Sequence, residues 1–490
     1  MNPNWILAAI LLPMAGGALV PLLPFKTRKS MMIYLELLML ATSAIALSMI
    51  FHGPTETYHA LPFVRDLTIS FKVDGMTMLF GGLVSVLWPF AMLYSFEYME
   101  HEGHEKIFFM FYSMTFGVTL GIAFASDMLT MYFFYELLTL VTVPLILHSL
   151  SREAILATRK YLYYSLGGAA FAMIGLVFMI VYGSTEFQLG GVFDAAKTGD
   201  KTNMLLLIYV IAFMGFGVKA AIWPLSGWLP DAGVAPTPVT ALLHAVAVVK
   251  AGVFAIIRLT YYCFGADYLR GTWAQKVVMG FAMFTIIYGC SRAVTQMHIK
   301  RRLAYSTVSN LSYIIFAATI MTPYGMVGAL AHLICHAFMK ICSFLCAGSM
   351  MHMTGKKYVY ELNGMGRRMP IVFGCFTVAS FGLMGVPGLA GFISKWNICE
   401  AVVESGNVQA YFGIGCLLIS ALLTAIYMLS VVVRGFFPGH DFDYSTIENV
   451  KDPTWKMCFP LLFFAAMIIV LGLFSPRLIS FIWDVANGLY

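Results

Sequence analysis

Long apolar runs, interrupted at intervals by charge, proline or glycine, dominate this chain. Most approach or exceed the roughly 20 residues that a helix needs to cross hydrocarbon. Read as helices, they predict about fourteen membrane spans. The first seven lie near 5–24, 31–51, 74–99, 106–125, 127–148, 158–183 and 203–224. The others lie near 236–260, 273–292, 304–321, 325–351, 370–404, 408–437 and 457–484. One stretch has a different rhythm. Leu67, Ile69, Phe71 and Val73 alternate with Thr68, Ser70 and Lys72, a period of two that predicts a strand. With Tyr58–Val64 before it, a small hairpin capping one face of the bundle is expected.

Composition narrows the class. The 490 residues are 60% hydrophobic and 11% charged, whereas soluble domains are about 45–50% apolar and about 25% charged. A soluble enzyme, a disordered chain and a nucleic-acid binder are excluded together. The 9 cysteines contain no C-x-x-C pair and give neither a disulfide framework nor a metal cluster. The run from Trp5 to Pro24 is too long for a signal-peptide core, and its basic residues follow it, so it is expected to be a permanent helix. Loops after odd-numbered spans hold 18 basic residues, including Lys300, Arg301 and Arg302; loops after even-numbered spans hold 7, including Arg65 and Arg258. The positive-inside rule then places the odd loops in the cytoplasm and both termini outside.

Lys219, Lys250, Lys340 and Lys395 fall inside apolar runs. A charge at the bilayer centre costs roughly 2.5–3.5 kcal/mol, so such residues face protein or water. The most central carboxylate is Glu136, midway along MLTMYFFYELLTLVTVPLI. Lysine has a chemical meaning that arginine lacks: a desolvated ammonium can lose its proton, whereas guanidinium stays charged. A row of buried lysines can load and release protons. The structural alternative is that they pair with acids or tilt toward a helix end.

His332, His336 and Lys340 follow an i, i+4, i+8 spacing and share one helix face. Titratable groups at such steps suit a proton path. His244 shares a span with Lys250, on a face turned by about 120°, so the two would serve different helix neighbours. H-x-x-x-H can bind zinc, but no third ligand pattern accompanies it. A haem would need axial ligands on opposite faces, so only a cross-helix pair such as His244 with His332 would serve. Gly215-x-Gly217-x-x-Ala220 imitates a dinucleotide fingerprint but lies inside an apolar helix. No cofactor or metal is therefore expected on this chain, and no catalytic centre of its own.

Two spans carry Gly/Pro clusters at membrane depth. Pro224, Gly227 and Pro230 follow Lys219; Gly385, Pro387 and Gly388 precede Lys395. Both helices should unwind there, which lipid tolerates only where the backbone is buried in protein or lines a wet cavity. Matched interruptions in two halves point to a transport site. Spans four to eight and nine to thirteen form two five-helix sets, each broken in its fourth helix. An odd number of helices makes the second set inverted. The predicted organisation is therefore 1–105 (spans one to three with the hairpin), 106–260, 270–437 and 457–490.

Four motifs carry a resemblance: FASDMLTMYFFYELL, GFGVKAAIWPLSGWLPDAGVAPTPVTALLHAVAVVKAGVFAIIR, ALAHLICHAFMKICSFLCAG and GLAGFISKWNI. The chain resembles the antiporter-like subunits shared by respiratory complex I, Mrp-type sodium/proton antiporters and membrane-bound energy-converting hydrogenases. The resemblance implies an all-α polytopic fold of fourteen helices with inverted repeats. It implies that Glu136 pairs with Lys219 where protons enter. Lys250, Lys340 and Lys395 would continue a hydrated axis, with His244, His332 and His336 as intermediate carriers. It further implies other antiporter-like and small membrane subunits as partners, an iron–sulfur arm in redox hosts, and the inner membrane of a prokaryote. Protons, or sodium, would be carried; nucleic acid is not a partner. The motifs are common to all three hosts and do not choose among them. One rival reading is a membrane oxidoreductase component that binds haem or quinone; the other is a non-conducting scaffold.

Overall fold

A computed structural model describes residues 2–64, 67–439 and 441–489, so the expected loop charge Arg65 lies outside the described residues. Every predicted apolar run contains helix. The first six helices are α1 (Asn4–Ala18), α2 (Arg28–His52), α3 (Gly75–Tyr98), α4 (Glu105–Phe124), α5 (Met128–Ile146) and α6 (Arg152–Tyr182). Next come α7 (Thr202–Lys219), α8 (Thr237–Ala245), α9 (Val248–Ile257), α10 (Trp273–Thr295), α11 (Ile299–Thr319) and α12 (Pro323–Thr354). The chain continues through α13 (Pro370–Met384), α14 (Ala390–Ser405), α15 (Val408–Phe436), α16 (Trp455–Leu473) and α17 (Ser475–Ala486). Among the described residues, 11 helical segments are long and apolar enough to cross a membrane. Helices suit that role because each satisfies its own backbone hydrogen bonds.

The helices begin where the sequence supplies caps. The side chains of Asp74, Asp127, Ser151 and Thr322 accept the exposed N–H groups of α3, α5, α6 and α12. Between α2 and α3, β1 (Tyr58–Val64) and β2 (Leu67–Phe71) pair antiparallel, with Tyr58 opposite Phe71. This is the expected hairpin. Ser70 N–H donates to Thr130 Oγ1 (2.9 Å) and Lys72 N–H to the Phe124 carbonyl (2.9 Å), stitching it to α4 and α5.

The centre of the molecule is unusual for its polarity. Helix α12 is buried from Gly325 to Met350, and α8 and α9 are buried throughout. The periphery is apolar instead: Leu37, Leu140, Phe412 and Leu422 all face outward. Ionisable residues therefore sit at the axis and hydrocarbon on the rim, the arrangement a bilayer solvent favours.

Three expected loop charges belong to the core. Arg258 lies in a π-helical turn, Arg258–Phe264, that extends α9. It is wholly buried and pairs with Asp74 at 2.7 Å. Lys300 and Arg302 are buried because α11 starts at Ile299, earlier than its apolar run. A second difference concerns the span holding His244 and Lys250. Its helix is interrupted at Val246 and Ala247, so the 120° separation derived for a continuous helix does not apply.

Candidate functional site: a buried line of lysines and histidines

Lys219 occupies the last turn of α7, where the helix gives way to the segment holding Pro224, Gly227 and Pro230. Its ammonium lies 4.0 Å from Glu136 Oε1, donates to the Tyr135 carbonyl and sits over the Tyr135 ring. The side chain of Lys219 is 1% exposed and that of Glu136 24%, so the pair runs from the core to the flank of α5. The break is built locally. Trp228 Nε1–H donates to the Val218 carbonyl (2.8 Å), which also accepts from the Ala221 N–H (3.1 Å), so the indole ties the segment back onto the end of α7. Gly227 precedes and Pro230 lies within a one-turn helix, Trp228–Asp231.

Gly252 brings the second element close. A Cβ there would meet the Ala220 nitrogen at 2.4 Å and the Lys219 carbonyl carbon at 2.8 Å. Helix α9 therefore rests directly on the break, two residues beyond Lys250. Lys250 Nζ is hydrogen-bonded to His336 Nδ1 of α12 at 2.9 Å. Both are wholly buried, and among the described residues no carboxylate lies within ion-pair distance of Lys250.

From His336 the line continues along α12. The His332 and His336 rings stack at 5.7 Å, and His332 Nδ1 is hydrogen-bonded to Ser394 Oγ at 2.8 Å. Lys395 follows on α14 and donates to the Leu383 (2.6 Å) and Met384 (3.0 Å) carbonyls at the end of α13. Gly385 and Gly388, at φ of 92° and 86°, turn the chain between α13 and α14 around Pro387. Left-handed backbone of this kind favours glycine. The lysine thus caps open carbonyls at a broken helix, where a cation is favoured.

Lys340 and His244 stand apart from that line. Lys340 Nζ donates to Ser306 Oγ (2.7 Å) and the Leu303 carbonyl (3.3 Å) of α11. His244 packs on Phe344 at 4.6 Å. Neither nitrogen of His244 has a protein hydrogen-bond partner, nor has Nε2 of His332 or His336. Buried polar atoms seldom go unpaired, and water satisfies those that protein does not. Among the described residues, no three His, Cys, Asp or Glu side chains converge to hold a metal ion.

Sequence reasoning missed Tyr135, Ser306 and Ser394, which hold Lys219, Lys340 and His332. A serine in an apolar helix commonly bonds its own backbone, so its type gave no signal; only Ser394, adjacent to Lys395, was findable. It also missed Asp74, the partner of Arg258.

Known proteins share the sequence pattern and the fold. Residues 125–424 match the family model described as NADH:quinone oxidoreductase/Mrp antiporter, transmembrane, and residues 64–109 match the N-terminus of chain 5 of complex I. The chain is 28% identical to NADH-quinone oxidoreductase subunit N of Desulforudis audaxviator, over 97% of this chain and 96% of that one. The same fold occurs in a chain of the archaeal membrane-bound sulfane sulfur reductase, with a TM-score of 0.84, 21% identity, and coverage of 99% and 97%. It occurs again in the Mrp complex of a Dietzia species, with a TM-score of 0.83 and 22% identity, over 98% of this chain but 52% of the longer one. The matched family model spans most of the chain and all of the buried lysines, so this multi-pass membrane protein belongs to the antiporter-like membrane subunit family of complex I and Mrp complexes.

Proposed function

We propose that the chain is a proton-translocating subunit of a multisubunit ion-pumping membrane complex. Protons pass from the Glu136–Lys219 pair to Lys250 and on through His336 and His332 to Lys395, with Lys340 and His244 as side stations. The observation that carries this reading is the hydrogen bond between Lys250 and His336, two wholly buried titratable groups on different helices with, among the described residues, no acid within ion-pair distance. A structural ion pair would need a counter-charge; a carrier needs a neighbour that can accept a proton.

The fold is read as fourteen spans, with residues 106–260 and 270–437 as inverted five-helix repeats flanked by 1–105 and 457–490. Pro224, Gly227, Pro230, Gly385, Pro387 and Gly388 are the hinges of the two broken helices. The basic odd loops face the cytoplasm of a prokaryote and the termini face outward. The partners are further antiporter-like and small membrane subunits, as the names of the relatives suggest, with an iron–sulfur arm if the host is a redox complex. If sodium is carried, carboxylates and backbone carbonyls at the breaks are its ligands.

The mechanism is a switch at Glu136–Lys219. A nearby carboxylate favours an ammonium, and separation in a desolvated site favours the neutral amine. Opening the pair therefore drives the proton onward. Moving one charge against 100 mV takes about 2.3 kcal/mol, comparable to one buried contact.

The test is proton movement into proteoliposomes holding the assembled complex, followed by a trapped pH-sensitive dye. Energised vesicles should change internal pH, and vesicles whose complex lacks this chain should change it less. Equal signals would favour the scaffold reading. A Soret band in the purified chain would favour the oxidoreductase.

A further inference from the structure

Arg302 is a buried cation that the proton path does not use. It is 4% exposed, in the first turn of α11, one turn from Ser306. Its guanidinium donates to three neutral acceptors: the Gln296 carbonyl (2.8 Å), the Tyr427 carbonyl (2.9 Å) and Ser430 Oγ (2.6 Å). Among the described residues no carboxylate lies within ion-pair distance. Burying a charge without a counter-charge is costly, so its position calls for a use.

Helix α11 also holds both partners of Lys340, and α15 supplies a tyrosine to one of them. Ser306 Oγ accepts from Lys340 Nζ at 2.7 Å and from the Tyr427 hydroxyl at 2.7 Å. Lys340, Ser306 and Tyr427 thus form a hydrogen-bonded line from the axis to α15, where the Tyr427 hydroxyl also bonds Thr424 Oγ1 (3.0 Å) and Arg302 holds the backbone carbonyl of the same tyrosine. Beyond Arg302 lie Gln296 and the odd-numbered loops. Serine and tyrosine hydroxyls both donate and accept, so such a line can relay a proton, whereas guanidinium only donates and never gives up its charge.

We propose that Arg302 is a fixed-charge plug that closes the Lys340–Ser306–Tyr427 line to the face carrying the basic loops. The positive charge repels an arriving proton, as arginines do in pores that exclude cations, and guanidinium, which only donates, offers no lone pair for one to land on. Lys340 then exchanges protons with the axis alone. The inference rests on Lys340 being a proton carrier.

The test is passive proton leak through the assembled complex in proteoliposomes under an imposed pH gradient, with no energy source. Arg302→Gln keeps a donor for the Tyr427 carbonyl and removes the charge; leak should rise about tenfold or more, the order expected for one unit charge removed from a protein interior. Arg302→Lys should leak less than Arg302→Gln but more than the wild type, because a buried ammonium can shed its proton and guanidinium cannot. Adding Tyr427→Phe or Lys340→Met to Arg302→Gln should return the leak toward baseline. A tight Arg302→Gln complex that still pumps, or a leak that survives both added substitutions, overturns the plug. Unimpaired pumping by Lys340→Met alone would instead overturn the carrier role on which it depends.

Discussion

Lys250→Met is expected to abolish energised proton transport while leaving the protein at least as stable as before. Among the described residues, Lys250 is the only lysine of the four hydrogen-bonded to a histidine, and its bond to His336 joins α9 to α12. Methionine fills similar volume but cannot bind a proton. The gap left in the line should slow transfer by about a hundredfold or more, the scale on which misplacing a reacting group acts. Stability should hold, because removing a buried charge that has no counter-charge offsets the hydrogen bond that His336 loses. Lys250→Arg should fail as completely as methionine, since guanidinium keeps its proton. Transport in inverted vesicles and thermal unfolding in detergent measure the two effects. If Lys250 were a structural cation, arginine would restore function and methionine would destabilise.

Glu136→Gln should stop pumping with assembly intact. The Glu136 carboxylate is the only acid within ion-pair distance of Lys219 among the described residues, and an amide in its place would keep the shape without the charge. Lys219 would then feel the same surroundings in every state of the cycle, and the switch would have nothing to switch. Lys219→Met should cost as much, and the double variant no more than either, because groups acting as one unit lose their effect only once. The expected loss is again about a hundredfold in dye response. Normal pumping by either single variant would refute the switch, and additive losses would show two independent roles.

The parts of this site that could be read from sequence share a physical cause. A lysine in an apolar run is conspicuous because its transfer cost is large, and a Gly/Pro cluster because it cannot continue a helix; Lys219, Lys250, Lys340, Lys395 and both breaks stood out on those grounds. The hairpin was legible through its period of two. Arg258 was misplaced because a π-helical turn carries α9 past the point where the apolar run fades. Its partner Asp74 lies 184 residues earlier, a separation no local pattern encodes. Lys300 and Arg302 looked like loop charges because consecutive basic residues in a helix's first turn resemble a surface run. The interruption at Val246 and Ala247 has no proline or glycine to announce it, only β-branched and small residues that suit a helix or a strand. Ser306, Ser394 and Tyr427 became visible only when the helices were brought together.

The account depends on solvent reaching the imidazoles between the lysines. Experimental density maps of the assembled complex, at a resolution that resolves ordered water, test this most directly. Water should appear against Nε2 of His332 and His336 and against both nitrogens of His244, joining Lys250, Lys340 and Lys395. Dry aliphatic side chains closing on those atoms, with each ammonium sealed from the next, would contradict it.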